Sequence, residues 1–319
     1  CWIAQEEVDS YEPADAETRR VIALVRKILQ RGSAPPLHPD EEVYQALVCG
    51  TRDYLHKNGF TDVVIGLSGG LDSSLVAAIA VDAVGADHVH GVPMPSRYSS
   101  GHSRSDAEEL ATNLGIDYRV IPIEEAHVAF RSMLEPSLAG HEIGLTDENL
   151  QSRVRGVTLM ALSNAFGWVV LATGNKSEAA VGYATIYGDT IGGYAVIKDV
   201  YKTRAFDLCR WRNTVGPAPV IPENVLTKPP SAELRPDQTD DQSLPPYEVL
   251  DPILRGYIED DRSVEDLVAA GHDDATVRRV VRLVDAAEYK RRQSPVGAKV
   301  TTKAFGKDRR LPITNGHRP

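Results

Sequence analysis

Residues 63–74 read VVIGLSGGLDSS, and this run constrains the fold more than any other part of the chain. Residues 63–67 form a short, unbroken apolar stretch, the pattern of a strand covered on both faces. Residues 73–84 have the composition of a helix that ends at Gly85. Between the two, Gly69 and Gly70 let the backbone turn tightly and expose amide N–H groups beside the positive end of the helix. The turn is therefore an anion cradle. Ser68 and Ser73 add hydroxyl donors. Asp72 would repel a bare phosphate, but it makes sense where a magnesium ion bridges it to phosphate oxygens, so a metal is implied. The spacing differs from GxxxxGK[ST] and there is no lysine, which separates this loop from that of the common nucleoside triphosphatases.

The alternation continues along the chain. Residues 41–57 have apolar positions at helical spacing up to Gly59, and 88–93 read as a second strand. A helix opened by a capping box, Ser105-x-x-Glu108, closes at Gly115. Residues 118–123 are a third strand, 124–134 and 148–166 two helices, and 168–172 a fourth strand. Strands alternating with helices predict an α/β fold, a doubly wound parallel sheet with helices on both faces, whose ligands sit at the carboxyl ends of the strands. After a helix near 204–211, residues 216–246 are rich in Pro, Asp and Ser and read as either a lid or disorder. A small C-terminal helical region follows, its middle helix capped by Ser263, with a basic tail. Residues 1–39 read as an N-terminal extension, with a helical run and a breaker-rich linker at 33–40, and 40–319 as the main domain.

Bulk properties exclude several classes. The 319 residues carry a formal charge of −10, and the only dense basic runs are 290–292 and 299–310, so no nucleic-acid partner is expected. No stretch reaches the roughly 18 apolar residues of a membrane span, and the start lacks signal-peptide regions. Three cysteines without metal-ligand spacing fit a reducing cytoplasm without disulfides. Cys49 and Cys209 read as core residues and Cys1 as a chain boundary.

The sequence SGGLDS after a strand resembles the pyrophosphate loop of the ATP pyrophosphatases, which cleave ATP between its α and β phosphates. ENLQSRVR (148–155), LATGNKSEAAVGY (171–183), YGDTIGG (187–193), IKDVYKTR (197–204), KPPSAEL (228–234) and DRRLPITN (308–315) follow in the order and spacing of NAD synthetases. The wording of EEVYQALVCGTRDYLHKNGF, MPSRYSSGHS and VRGVTLMALSNAFG is closest to the bacterial glutamine-dependent branch. The resemblance runs from about Gln5 to the end and implies an adenine-nucleotide alpha-hydrolase-like fold.

It also implies an ATP-dependent amide ligase that turns deamido-NAD into NAD through an acyl adenylate, with ammonia as nitrogen donor and AMP and pyrophosphate as products. ATP would lie on Gly66, Leu67, Ser68, Gly69, Gly70, Leu71, Asp72 and Ser73, with Thr173 at the adenosine and Lys202 and Ser231 at the phosphates. Asp72 and Glu178 would hold magnesium, Arg153 would bind deamido-NAD, and Asp189 would stand at the ammonia entry. Asp72, Lys202 and Asp189 are thus the expected catalytic residues. Arg155 is as readily structural, and Lys198 and Asp199 read as flanking a strand end. Ile186 replaces a lysine of the ammonia-dependent relatives, and among Lys303, Lys307, Arg309 and Arg310 one is expected to meet the substrate. The family's glutaminase domain, with its Glu, Lys and Cys, is not in this chain, so ammonia would come free or from a glutaminase domain or separate partner. Pairing into a homo-oligomer is also implied. Two alternatives stay open: another ligase of the superfamily acting on a different carboxylate, and a non-catalytic nucleotide-binding module.

Overall fold

The structure, a computed structural model, describes residues 15–30, 36–236, 238–314 and 316. Backbone contacts divide the chain into two units, Cys1–Pro39 and Asp40–Pro319. In the first lies α1 (Ala16–Gln30). Cys1 and linker residues 33–35 lie outside the described residues.

The main body starts with α2 (Pro39–Lys57) and continues β1 (Val63–Gly66), α3 (Leu71–Val84), β2 (Val89–Val92), α4 (Gly101–Leu114), β3 (Asp117–Tyr118), α5 (Glu124–Leu134), α6 (Gly144–Phe166) and β4 (Val169–Ala172). Then come α7 (Lys176–Val181), β5 (Tyr194–Ala195), α8 (Lys202–Thr214), α9 (Glu223–Thr227), α10 (Tyr247–Ile258), α11 (Val264–Ala269), α12 (Asp274–Ala286) and α13 (Glu288–Arg291). The strands form one sheet in the order β3-β2-β1-β4-β5 with every pairing parallel. From β1 the chain first winds one way and then returns to the other side, so the order reverses between β1 and β4.

Successive side chains of a strand point to opposite faces, and the apolar runs of β1 and β4 use both. Val63, Ile65, Val169 and Leu171 pack into one core with α2, α3 and α8. Val64 and Val170 pack into another with Val154 and Leu159 of α6. The doubly wound arrangement expected from the alternation is what the chain adopts. A third core, built from α7 and α10–α12, carries Leu250, Ile253, Val277 and Val280.

Several expectations are corrected. α4 is capped by Ser100, whose Oγ accepts Ser103 N–H at 3.1 Å, and not by Ser105, whose hydroxyl donates to His102 O inside the helix. β3 has only two ladder residues. Beyond it, Arg119, Ile121 and Ile123 N–H donate to Gly91, Pro93 and Pro95 carbonyls at 3.0–3.1 Å, and the two prolines have no N–H to return. α6 starts at Gly144, four residues before the position expected. Of the two readings of region 216–246, disorder is corrected: the described residues form α9 and a turn of 3₁₀ helix and bury Ile221, Val225, Asp240 and Leu244. The short β5, hydrogen-bonded to β4, was not foreseen.

Candidate active site

The loop between β1 and α3 lies at the carboxyl end of β1, where the strand order reverses. Gly69 sits at φ +74°, and a Cβ there would stand 2.0 Å from Ser103 O, so only glycine lets the loop lie against α4. Ser68 Oγ accepts Gly70 N–H at 3.1 Å and lies 3.1 Å from Ser73 Oγ, which donates to Gly70 O. Gly70 is the N-cap of α3 without any side-chain cap, which leaves the first turn of the helix to other acceptors.

The neighbouring strand, β4, feeds Thr173, Gly174 and then α7. Asn175 caps α7 in a capping box: its Oδ1 accepts Glu178 N–H at 2.9 Å, while Glu178 Oε2 lies 3.5 Å from Asn175 N. Since β1 and β4 are adjacent, the two loops meet. Asn175 Nδ2 donates to Asp72 Oδ1 at 3.1 Å. Lys202, the first residue of α8, completes the cluster: its Nζ bonds Asp72 Oδ2 and lies 3.3 Å from Glu178 Oε1. A cation at a helix N-terminus opposes the helix dipole, so the two carboxylates are what hold it there.

Solvent still reaches 16% of the Asp72 side chain and 18% of Glu178's, as on the floor of a cleft, while Lys202 keeps 4%. Burial pushes the Glu178 carboxyl above the usual carboxylate range; Lys202 draws it down, and Asp72, Asp240 and Asp189 repel its charge. Burial would lower the Lys202 ammonium, but Asp72 and Glu178 outweigh it and hold it above the ordinary lysine range. Two carboxylates from the first turns of α3 and α7, converging on one cation position, are hard oxygen donors of the kind magnesium takes, and they fit that ion as a pair. Among the described residues no group of three or more His, Cys, Asp or Glu side chains forms a fuller metal cage, so any further ligands would be phosphate oxygens and water.

Asp189 lies in the loop before β5, docked on α6 through glycines. A Cβ on Gly188 would stand 2.2 Å from Ser152 Oγ, and one on Gly156 would stand 2.7 Å from Tyr187 O. Asp189 Oδ1 accepts Thr185 N–H at 2.7 Å and Ser152 Oγ–H at 3.0 Å, and Asp189 N–H faces the same Oγ. Asp189 is exposed as a residue, while the protein around its carboxylate costs it solvation and raises its pKa. Arg153, exposed on α6, bonds the Ile186 carbonyl at 3.2 Å; Arg155, half-buried, bonds Met94 O at 3.1 Å and is lowered by burial to about 10.

The Ser231 hydroxyl donates to Gln238 O at 2.5 Å and accepts from Glu233 N–H, inside its own segment. Thr173 is half-buried at the end of β4, beside the loop. Gly66, Leu67 and Leu71 contribute backbone and packing; Gly66 faces Met94 and Leu159. Lys303 and Arg309 are both paired with Asp261. Three residues of the site were not anticipated. Asn175 was readable from the pattern N-x-x-E ahead of an apolar run. Glu233 receives Ser100 N–H and the hydroxyls of Ser100 and Ser103, and Asp240 receives the hydroxyls of Tyr247 and Tyr183; both are long-range pairings with no local signature.

A family model described as NAD synthase matches residues 43–294. The chain is 56% identical over 276 residues to the glutamine-dependent NAD(+) synthetase of Thermotoga maritima, covering 86% of this chain and 48% of that protein. With the glutamine-dependent NAD(+) synthetase of Acinetobacter baylyi the identity is 53% over 286 residues, 90% of this chain and 53% of the other. The structure of glutamine-dependent NAD+ synthetase from Acinetobacter baumannii in complex with ADP superposes with a TM-score of 0.61 at 48% identity, over 89% of this chain and 51% of that one. NMN synthetase from Francisella tularensis superposes with a TM-score of 0.67 at 27% identity, over 80% and 97%. The chain spans about half the length of the curated relatives it matches.

Proposed function

The chain belongs to the NAD synthase family, and from that premise we propose that it amidates the nicotinate carboxylate of deamido-NAD at the expense of ATP, with ammonia as nitrogen donor. The convergence of Asp72, Glu178 and Lys202 at the point where the strand order reverses carries this reading. In it, the amides and hydroxyls of Gly66–Ser73 hold the ATP phosphates, Thr173 meets the adenosine, and Lys202 and Ser231 meet phosphate oxygens. Arg153 takes an anionic part of the dinucleotide, its fork suiting such groups. A magnesium ion held by Asp72 and Glu178 would neutralise charge on the phosphates.

The substrate carboxylate attacks the α-phosphorus in line, an acyl adenylate forms and pyrophosphate leaves, with Lys202 and the loop amides balancing its charge. Ammonia then attacks the activated carbonyl and AMP leaves. Asp189, oriented by Ser152 and Thr185, holds ammonium at the entry and takes its proton, and its raised pKa brings it nearer to that task. No protein nucleophile is needed.

Nitrogen would reach the site as free ammonia or from a glutaminase domain or partner. Pairing with a second copy of the chain belongs to the same reading. Among the described residues no helix is long and apolar enough to cross a membrane. A cytoplasmic location belongs to the same reading; of the two cysteines expected in the core, Cys209 is buried while Cys49 is exposed.

Incubation with ATP, magnesium, deamido-NAD and an ammonium salt is expected to give AMP, pyrophosphate and NAD in equal amounts. The likeness to an NMN synthetase favours, as a second reading, a mononucleotide in place of the dinucleotide. ATP/pyrophosphate exchange that depends on deamido-NAD supports the first; exchange seen only with the mononucleotide supports the second. Nucleotide binding without AMP formation under either condition would leave only a binding module.

A further inference from the structure

Each carboxylate of the cluster uses its two oxygens differently. Asp72 Oδ1 is held by Asn175 Nδ2 at 3.1 Å and its Oδ2 by Lys202 Nζ. Glu178 Oε2 lies 3.5 Å from Asn175 N, and its Oε1 faces the same Nζ at 3.3 Å. One residue thus takes the outer oxygen of both acids, and the two inner oxygens share one cation position. Asn175 has no solvent exposure, and the cap fixes its amide: Oδ1 must accept Glu178 N–H, so the donor end turns to Asp72.

We propose that Asn175 is a positioning residue that sets the spacing and orientation of Asp72 and Glu178 for a single hard divalent cation, each acid offering one inner oxygen. The inference rests on those two acids being the metal ligands. Two carboxylates drawn together repel, and a neutral donor between them offsets that without occupying the cation position. Lys202 cannot do this alone, because its ammonium is a rotatable point charge that approaches the oxygens the cation would use. The partners that orient ligands from behind are worth about 10–100-fold in metal affinity.

Asn175→Thr separates the two roles of the residue. Threonine still caps α7, since its hydroxyl can accept Glu178 N–H, but it is too short to reach Asp72. Mn²⁺, titrated into the full chain without nucleotide and followed by electron paramagnetic resonance, is the probe. Wild type is expected to bind one Mn²⁺ at a site that Asp72→Asn and Glu178→Gln each remove, and Asn175→Thr to weaken its Kd about 10–100-fold. The magnesium concentration for half-maximal turnover should rise by the same factor, with kcat recovering at saturation; a merely structural defect would lower kcat without moving that concentration. Asn175→Ser, the smaller cap, gives the same reading should the threonine variant fold poorly. Mn²⁺ binding indifferent to Asp72→Asn and Glu178→Gln would overturn the ligand assignment itself. Binding that needs both acids but is unchanged in Asn175→Thr and Asn175→Ser would overturn the role of Asn175 alone.

Discussion

Lys176 Nζ lies 2.9 Å from Asp199 Oδ1, with no solvent exposure at the lysine and 4% at the aspartate. The same ammonium reaches Glu259 Oε1 at 3.0 Å, Thr301 Oγ1 at 2.6 Å and the Lys303 carbonyl at 2.8 Å. Asp199 in turn receives the N–H groups of Val300 and Thr301. A single buried cation therefore joins α7, which also carries Glu178, to the segment before α8, the end of α10 and the C-terminal stretch.

Lys176→Ala leaves two buried carboxylates without their shared counter-charge. The expected loss is about 3–5 kcal/mol of unfolding free energy, measured by urea denaturation. Because Asp199 and Lys176 act as one unit, Lys176→Met combined with Asp199→Asn should cost less than the sum of the two single changes. An additive pair would show that the ion pair contributes nothing of its own.

The same network gives a pH dependence. Burial would raise the Glu259 carboxyl, but the hydrogen bond and charge of Lys176, with the Thr302 hydroxyl, outweigh it and hold the pKa below the ordinary 4.5. A carboxyl whose folded pKa lies below its unfolded one gives stability that is full above the unfolded value. That stability is lost as pH falls through the folded value. Wild type should therefore be more stable than Glu259→Gln at neutral pH, with the gap narrowing from about pH 5 downward. Urea midpoints of both proteins across that range test it, and a gap that does not change with pH would sink the idea.

Gly69→Ala tests the close approach of the loop to α4. A methyl at φ +74°, 2.0 Å from Ser103 O, meets backbone that cannot rotate away, and the left-handed conformation alone costs about 1–2 kcal/mol. Either the loop or the start of α4 must move. The expected outcome is a lower melting temperature together with loss of ATP-dependent AMP formation. Gly59→Ala, also at positive φ but with open space around it, should show the strain without the loss of turnover.

The parts of this molecule that were legible in its sequence are those set by local pattern. The apolar runs of β1 and β4 announce strands covered on both faces, and the glycine pair between β1 and α3 announces an anion cradle. Asp72 was readable because a carboxylate is out of place in a bare phosphate loop. What brings Asp72 beside Glu178 is the adjacency of β1 and β4, whose residues pair across about a hundred positions of chain, and no local pattern encodes that. The same holds for Glu233 on Ser100 and for Asp240 on Tyr247. Residues 216–246 looked structureless because their order comes from long-range burial of Ile221, Val225 and Leu244, while their composition favours turns.

Asp189 offers the sharpest separation of chemistry from binding. Ser152 Oγ donates to its carboxylate at 3.0 Å and accepts its backbone N–H at 3.0 Å, and a side chain at position 188 would collide with that hydroxyl. Asp189→Asn keeps the size and the acceptor that Ser152 and Thr185 N–H address, but it can neither hold ammonium by charge nor take its proton. The rate with ammonium, as kcat/KM, should fall by about 10²–10⁴-fold, while KM for ATP stays within about twofold. Ser152→Ala leaves the carboxylate in place with one donor fewer, so its effect should be smaller and in the same direction. Steady-state kinetics with ammonium as the varied substrate measures both. Should Asp189→Asn instead raise KM for ATP and leave the ammonium dependence untouched, Asp189 serves the nucleotide and not the nitrogen.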